Sequence, residues 1–148
     1  KLEGLINSAR AFGLDIHVAS AYRSFTEQNN LKSNYKVTYG AGTANSFSAD
    51  QGYSEHQLGT TVDFTTTKIG GGLSGFDRTT EYEWLQDNAH KYGFVISYPP
   101  NNVYYIFEPW HWRFVGKQLA LRLHNDKINF ADMPQRSIDE YLISLFDQ

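Results

Sequence analysis

The chain carries SEHQLGTTVD at residues 54–63 and EPWHWRFVG at residues 108–116. These segments supply three side chains of types that bind zinc, His56, Asp63 and His111. Three protein ligands leave a fourth position open for water, as in catalytic rather than structural zinc sites. Glu108 precedes His111 by three residues and is placed to take a proton from that water. The two segments therefore predict one catalytic Zn²⁺ ion.

Spacing alone leaves a second interpretation open. His56 and Asp63 are too far apart in sequence for adjacent turns of one helix, but a short turn leading into a strand at 60–66 brings them together. His111 opens another strand, and neighbouring strands lie about 4.8 Å apart, so a third ligand can approach from the side. A histidine or aspartate is more often an ordinary polar residue with a hydrogen-bond partner. The tryptophans flanking His111 favour a water-excluding site without deciding the question.

Composition limits the classes of function. At 148 residues, with 41% hydrophobic and 20% charged residues, the chain is predicted to form one globular domain spanning 1–148. A net charge of −3 gives no attraction to nucleic acid or to an anionic membrane. The absence of cysteine excludes a disulfide scaffold and a thiolate nucleophile. Nothing in the sequence requires more than a monomer.

No apolar run reaches the length of a membrane span, so no membrane contact is expected from this domain. Lys1 begins abruptly within a predicted helix. We therefore expect any signal peptide or anchor to lie outside this sequence.

Periodicity, capping boxes and glycines predict alternating elements along the chain. Helices are predicted at 2–12, 24–35, 80–93 and 119–123 and from about Ser137 to Phe146, and strands at 14–19, 60–66 and 111–115. Residues 37–54 show little periodicity and are predicted to be a long loop, and residues 94–107 a hairpin that turns at 99–102. Strands late in the chain, with helices before and after, indicate an α+β fold with a small, mainly antiparallel sheet and helices packed against it.

A third segment, SAYRS at residues 20–24 followed by Gln28, completes a pattern. In this order, the three segments resemble the signature blocks of the VanY-type D-alanyl-D-alanine carboxypeptidases. These bacterial zinc peptidases trim peptidoglycan stem peptides, and the L,D-carboxypeptidases share the same blocks. The resemblance covers about residues 20–116, and the three blocks together are far more specific than any one of them.

The resemblance implies a zinc D,D-peptidase fold, an extracytoplasmic location and peptidoglycan stem peptides as partners. It implies that His56, Asp63 and His111 bind zinc and that Glu108 is the general base. Arg23 would hold or polarise the substrate, with Gln28 and Ser54 bonding the peptide near its carboxylate end. From their residue types, Tyr22, Tyr53 and Trp110 are candidate walls of the pocket.

Several alternatives stay open at the level of sequence. The scissile bond could be that of a D,D- or an L,D-carboxypeptidase. A peptidoglycan endopeptidase of the phage-lysin kind is a further alternative, as is a non-catalytic, zinc-containing cell-wall-binding module. Retention of Glu108 counts against the last of these, because a binding module needs no base. Arg23, at a helix start, could also be an ordinary surface residue.

Overall fold

Four short strands form one antiparallel sheet at the centre of the molecule. They are β1 His17–Ser20, β2 Thr61–Thr65, β3 Phe94–Ile96 and β4 His111–Phe114. Within residues 1–146, which the computed structural model describes, their order is β1-β2-β4-β3. The predicted domain ends at residue 148, and Asp147 and Gln148 lie outside the described residues.

Helices precede, interrupt and follow the strands, which gives the α+β class that the sequence predicts. The α-helices are α1 Leu2–Ala11, α2 Phe25–Tyr39, α3 Ala41–Phe47, α4 Thr80–Asn88, α5 Lys117–Asp126 and α6 Gln135–Phe146. Short 3₁₀ helices occupy Glu55–Leu58, Thr67–Ile69, Phe76–Arg78, Ala89–Tyr92 and Phe130–Asp132. No helix of the described part is both long and apolar enough to cross a bilayer.

Side-chain caps fix the starts of two of the α-helices. The Ser24 hydroxyl accepts a hydrogen bond from the Glu27 N–H, and the Glu27 carboxylate accepts one from the Ser24 N–H, forming the predicted capping box of α2. The spacing of Thr80 and Glu83 predicts a capping box that starts α4 at Thr80, but the Thr79 hydroxyl accepts the N–H of Tyr82. This prediction was wrong by one residue because either threonine can serve as a cap.

Two predicted elements differ from the structure. Residues 37–54, predicted as a loop, contain the end of α2 and all of α3. Residues 94–107 do not form a hairpin, because β3 pairs with β4 instead, with Phe94 opposite Phe114. The segment between these strands turns at Asn102, whose side-chain oxygen accepts hydrogen bonds from the N–H groups of Tyr104 and Tyr105.

The sheet separates an apolar face from a polar face. Val62 and Phe64 on β2 and Trp112 on β4 are buried in the main core, with α1 and α4 contributing Leu5 and Leu85. Because side chains alternate along a strand, the intervening residues of β2 and β4 point to the opposite face. That second face carries the polar residues singled out from the sequence.

The 3₁₀ helix Ala89–Tyr92 packs against α5 beyond the edge of the sheet. His90 and His124 stack with their ring centroids 3.6 Å apart. His90 is 8% exposed, and its Nδ1 has no hydrogen-bond partner among the described residues. Gly93 follows with φ of 92°, and a Cβ there would lie 2.6 Å from the Phe114 ring, so only glycine fits.

Candidate metal centre and substrate cleft

The three predicted metal ligands converge on the polar face of the sheet. Asp63 on β2 and His111 on β4 are direct partners in the antiparallel register. His56 lies on the 3₁₀ helix that precedes β2, and Gly59, with φ of 71°, ends that turn. All three ligands are buried, and their ligand atoms lie within 4.8 Å of one another.

One nitrogen of each imidazole ring faces the Asp63 carboxylate. His56 Nε2 lies 3.3 Å from Asp63 Oδ2, and His111 Nδ1 lies 3.1 Å from Asp63 Oδ1. The other nitrogen of His56, Nδ1, donates to the carbonyl oxygen of Ala21 at 2.6 Å. Burial opposes ionisation of Asp63, but the hydrogen bonds from His111 and His56 outweigh it and lower its pKa to about 2.

This donor set suits one divalent cation. Two imidazole nitrogens and one carboxylate are ligands that zinc accepts. In the described residues, no fourth His, Cys, Asp or Glu joins the group, as expected for a site that leaves a position open to water. Glu55 and Glu108 contact His111 and add negative charge, which a bound cation would balance.

Glu108 lies beside the metal group, three residues before β4 begins. Its Oε2 is 3.6 Å from His111 Nδ1, and the side chain is nearly buried. Burial raises the pKa of Glu108 to about 7; His111 and Arg23 act against this shift, and Asp63 and Glu55 add to it. A carboxyl group with a pKa near neutrality can both accept and donate a proton during a reaction.

Arg23 is half-buried in the same cleft and is held at two points. Its Nη1 donates to Gln28 Oε1 at 2.7 Å, and its Nη2 donates to Ser20 Oγ at 3.0 Å. Its backbone N–H donates to the carbonyl oxygen of His56 at 3.3 Å, which ties the arginine to a candidate ligand. Gln28 is 1% exposed and also donates to the Ala49 carbonyl, so it acts as a support for Arg23 in this arrangement.

A cleft of about 660 Å³ connects these groups. Its lining includes nine of the ten residues predicted for the site: Tyr22, Arg23, Gln28, Ser54, His56, Asp63, Glu108, Trp110 and His111. Tyr22 is 66% exposed, Trp110 is half-buried and Ser54 is buried. Tyr53, a further candidate wall, is 84% exposed and lies outside this lining.

The cleft residues that the sequence analysis did not predict include Tyr98, Tyr105 and Glu55. Tyr98 and Tyr105 stack with their ring centroids 4.7 Å apart, and the Tyr98 ring lies 4.8 Å from that of His111. Burial raises the pKa of both tyrosines, so they stay neutral donors. The sequence predicts a hairpin for their segment and contains no motif that would place either tyrosine side chain in the cleft. Glu55 also contacts His111, and its place between Ser54 and His56 could have identified it.

Comparison with known sequences agrees with this geometry. The family model described as VanY: D-alanyl-D-alanine carboxypeptidase matches residues 1–117. The putative carboxypeptidase YodJ of Bacillus subtilis is 34% identical over 135 residues, which cover 88% of this chain and 50% of that protein. A D-alanyl-D-alanine carboxypeptidase of Enterococcus faecalis is 32% identical, with 84% of this chain and 49% of that protein covered. The chain thus spans about half the length of these curated relatives.

Solved structures with a similar fold include an LD-carboxypeptidase and a D,D-pentapeptidase. The LdcB LD-carboxypeptidase superimposes with a TM-score of 0.80 and 33% identity, covering 90% of this chain and 66% of that one. A mutant of the D,D-pentapeptidase VanY from the VanB-type resistance cassette, in complex with Zn(II), gives a TM-score of 0.76 and 30% identity, with 95% and 79% covered. These similarities confirm the predicted family resemblance and the predicted zinc D,D-peptidase fold.

Proposed function

Because the chain belongs to the VanY family of D-alanyl-D-alanine carboxypeptidases, we propose that it is a zinc-dependent carboxypeptidase that removes the terminal D-alanine from peptidoglycan stem peptides. The observation that carries this proposal is the convergence of five side chains in one cleft. A buried ligand set of His56, Asp63 and His111 lies beside Glu108, and Arg23 lines the same cleft. A module that only binds cell wall would need neither the base nor its raised pKa.

His56, Asp63 and His111 would hold a single zinc ion, as their donor chemistry fits. When bound, zinc supplies Lewis acidity, because it lowers the pKa of a coordinated water to about 7 and polarises a carbonyl group. The VanY neighbour of similar fold was solved with Zn(II), which supports the choice of this metal.

Glu108 supplies the proton transfers. Its carboxylate accepts a proton from the attacking water, and the resulting carboxylic acid donates it to the nitrogen of the departing D-alanine. The pKa of about 7 means that the same group can perform both steps near neutral pH. A positioned side chain of this kind contributes about 10²- to 10⁴-fold to the rate.

Arg23 selects a free chain end. A guanidinium can hold a carboxylate through two parallel N–H bonds, and Gln28 and Ser20 fix its plane before the substrate arrives. Ser54, Tyr22 and Trp110 complete the substrate contacts in this proposal, and the stacked rings of Tyr98 and Tyr105 exclude water on one side. Since stem peptides lie outside the cytoplasmic membrane, we also propose an extracytoplasmic location.

The test is mass spectrometry of two stem peptides incubated with zinc-loaded protein. One is a tetrapeptide, and the other is a pentapeptide ending in D-Ala-D-Ala. Loss of one alanine from the pentapeptide alone identifies a D,D-carboxypeptidase, and loss from the tetrapeptide alone identifies an L,D-carboxypeptidase. Both activities occur among the similar structures, so both peptides are needed.

The Glu108→Gln protein, loaded with zinc, is the matched control for contaminating peptidases. If zinc binds but neither peptide is shortened, the carboxypeptidase proposal is wrong. Cleavage of intact cross-linked peptidoglycan would then support the endopeptidase alternative. Sedimentation with cell walls without cleavage would support a binding module.

A further inference from the structure

Glu55 lies behind His111, on the side away from the candidate metal position. Its Oε2 is 3.0 Å from His111 Nε2, whereas His111 Nδ1 faces Asp63. The Glu55 side chain is only 17% exposed. Neither the ligand set nor the proton transfers of the proposed function use this carboxylate.

The contact favours one ring nitrogen of His111 as the metal ligand. Both nitrogens face a carboxylate, Nε2 that of Glu55 and Nδ1 that of Asp63, but Asp63 belongs to the candidate ligand group and Glu55 does not. With a metal bound, the neutral imidazole has one N–H and one lone pair, so the N–H would stay on Nε2 beside Glu55 and the lone pair on Nδ1 would face the metal. In His56 the roles are reversed, because Nδ1 donates to the main-chain carbonyl of Ala21 and Nε2 faces Asp63.

Glu55 is itself held rigidly. Ser97 Oγ donates to Oε2 at 2.7 Å, and Arg113 Nη1 donates to Oε1 at 2.8 Å. The Arg113 guanidinium lies over the Phe130 ring, 4.7 Å from its centroid. These two donors fix the Glu55 carboxylate in place as an acceptor for His111 Nε2.

We propose that Glu55 is a positioning residue, whose carboxylate orients the His111 ring and keeps its Nδ1 lone pair directed to the metal. The inference rests on the proposed function, in that the metal is taken to be zinc. Ligand histidines commonly donate their second ring N–H to a carboxylate, and removing such an acceptor costs about 10- to 100-fold in metal affinity. Of the two ligand histidines here, only His111 has a side chain in this role, so only its support can be removed by substitution.

The experiment measures zinc affinity by chelator competition, without substrate, for the wild type, Glu55→Ala and Glu55→Gln. We expect binding to weaken about 10- to 100-fold in Glu55→Ala. Glutamine keeps an acceptor oxygen without charge, and charge-assisted bonds are roughly twice as strong as neutral ones, so its logarithmic loss should be about half as large. Ser97→Ala is the matched control, because it removes a bond to the same oxygen and leaves the His111 contact in place; it should bind nearly as tightly as the wild type.

A second readout separates orientation from general destabilisation. In zinc-saturated protein, nitrogen-edited NMR should show a slowly exchanging, strongly downfield His111 Nε2–H proton that Glu55→Ala lacks and Ser97→Ala retains. Wild-type affinity in a folded Glu55→Ala protein would overturn the proposal. If that variant does not fold, wild-type affinity in Glu55→Gln would overturn it instead. Failure of the wild type to bind zinc would refute the proposed function itself, which is a distinguishable result.

Discussion

Under the proposed function, Arg23→Ala is expected to abolish the preference for peptides with a free C-terminal carboxylate. In the structure, the guanidinium is fixed by Gln28 and Ser20, which take two of its five N–H donors. The remaining N–H groups can reach a ligand in the cleft that the side chain lines. An alanine leaves the substrate carboxylate without this partner, whereas binding of the rest of the peptide is unaffected.

The magnitude follows from the burial and charge of the pair. Truncating one partner of a buried, hydrogen-bonded charge pair costs about 2–5 kcal/mol, and Arg23 is only half-buried, so we expect about 2–4 kcal/mol. This corresponds to a loss of about 30- to 900-fold in kcat/KM for a free-acid peptide. Arg23→Lys keeps the charge but lacks the planar fork, and one ammonium cannot replace both supporting bonds, so it should recover only part of the loss.

The assay compares two proteins on two substrates, in the manner of a double-mutant cycle. kcat/KM is measured for wild type and Arg23→Ala on the same peptide with a free and with an amidated C-terminus. Amidation should cost the wild type about 30- to 900-fold and cost the variant almost nothing. If amidation reduces cleavage equally in both proteins, Arg23 does not bind the carboxylate and the reasoning fails.

Three further substitutions test other parts of the site and the fold. Glu108→Gln should lower kcat about 10²- to 10⁴-fold while elemental analysis still finds zinc; full activity, or loss of the metal, would contradict the assigned role. Gln28→Leu removes the oxygen that accepts a hydrogen bond from Arg23, which should cost about 1.5–3 kcal/mol in kcat/KM for the free-acid peptide. The effect on the amidated peptide should be much smaller. Equal effects on the two peptides would contradict the role of Gln28 in holding Arg23. Burial, together with the neighbouring His124 and Lys91, lowers the pKa of His90 in the folded protein. The unfolded state therefore binds the proton more readily. The free energy of unfolding should fall as the pH drops below about 6.5, by at most about 1.4 kcal/mol per pH unit. His90→Gln should flatten this part of a profile of melting temperature against pH, and parallel profiles for the two proteins would refute the assignment.

The candidate ligands could be predicted from sequence because local rules bring them together. Gly59 marks the turn after His56, and β-branched residues mark β2, which carries Asp63. His111 begins a strand that pairs directly with β2. The turn after His56, the strand that carries Asp63 and this pairing together bring the three candidate ligands to one point. The roles of these residues in catalysis remain predictions.

The failed predictions depended on contacts between distant residues. Residues 41–47 have no helical apolar stripe of their own, and α3 is held by long-range contacts instead. Phe47 packs on Tyr35 and Tyr39 of α2, and the buried Lys32 donates to carbonyl oxygens at Ala44 and Ser48. Such contacts stabilise a helix that its own sequence does not specify.

The predicted hairpin failed for a related reason. Residues 103–107 are rich in aromatic and β-branched types, but β-propensity depends on the neighbouring strands. β4 supplies a better partner for β3, because Phe94 and Phe114 pack edge to face in the core beside Phe64. Tyr98 and Tyr105 therefore reach the cleft from irregular backbone, which local patterns do not describe.

The separation of rigid and irregular backbone around the cleft bears on how new specificities can arise. Two of the three candidate ligands are locked as neighbours across paired strands, so their spacing is set by the sheet itself. Ten of the residues that line the cleft come from the connections at 21–24, 48–54 and 97–110, and α2 contributes four more. Under the proposed function, a change of loop length or composition there that keeps Arg23 and Glu108 would alter which peptide is accepted and leave the candidate metal ligands in place. Transplanting these three connections between relatives would accordingly test whether they determine D,D- or L,D-selectivity on one unchanged scaffold.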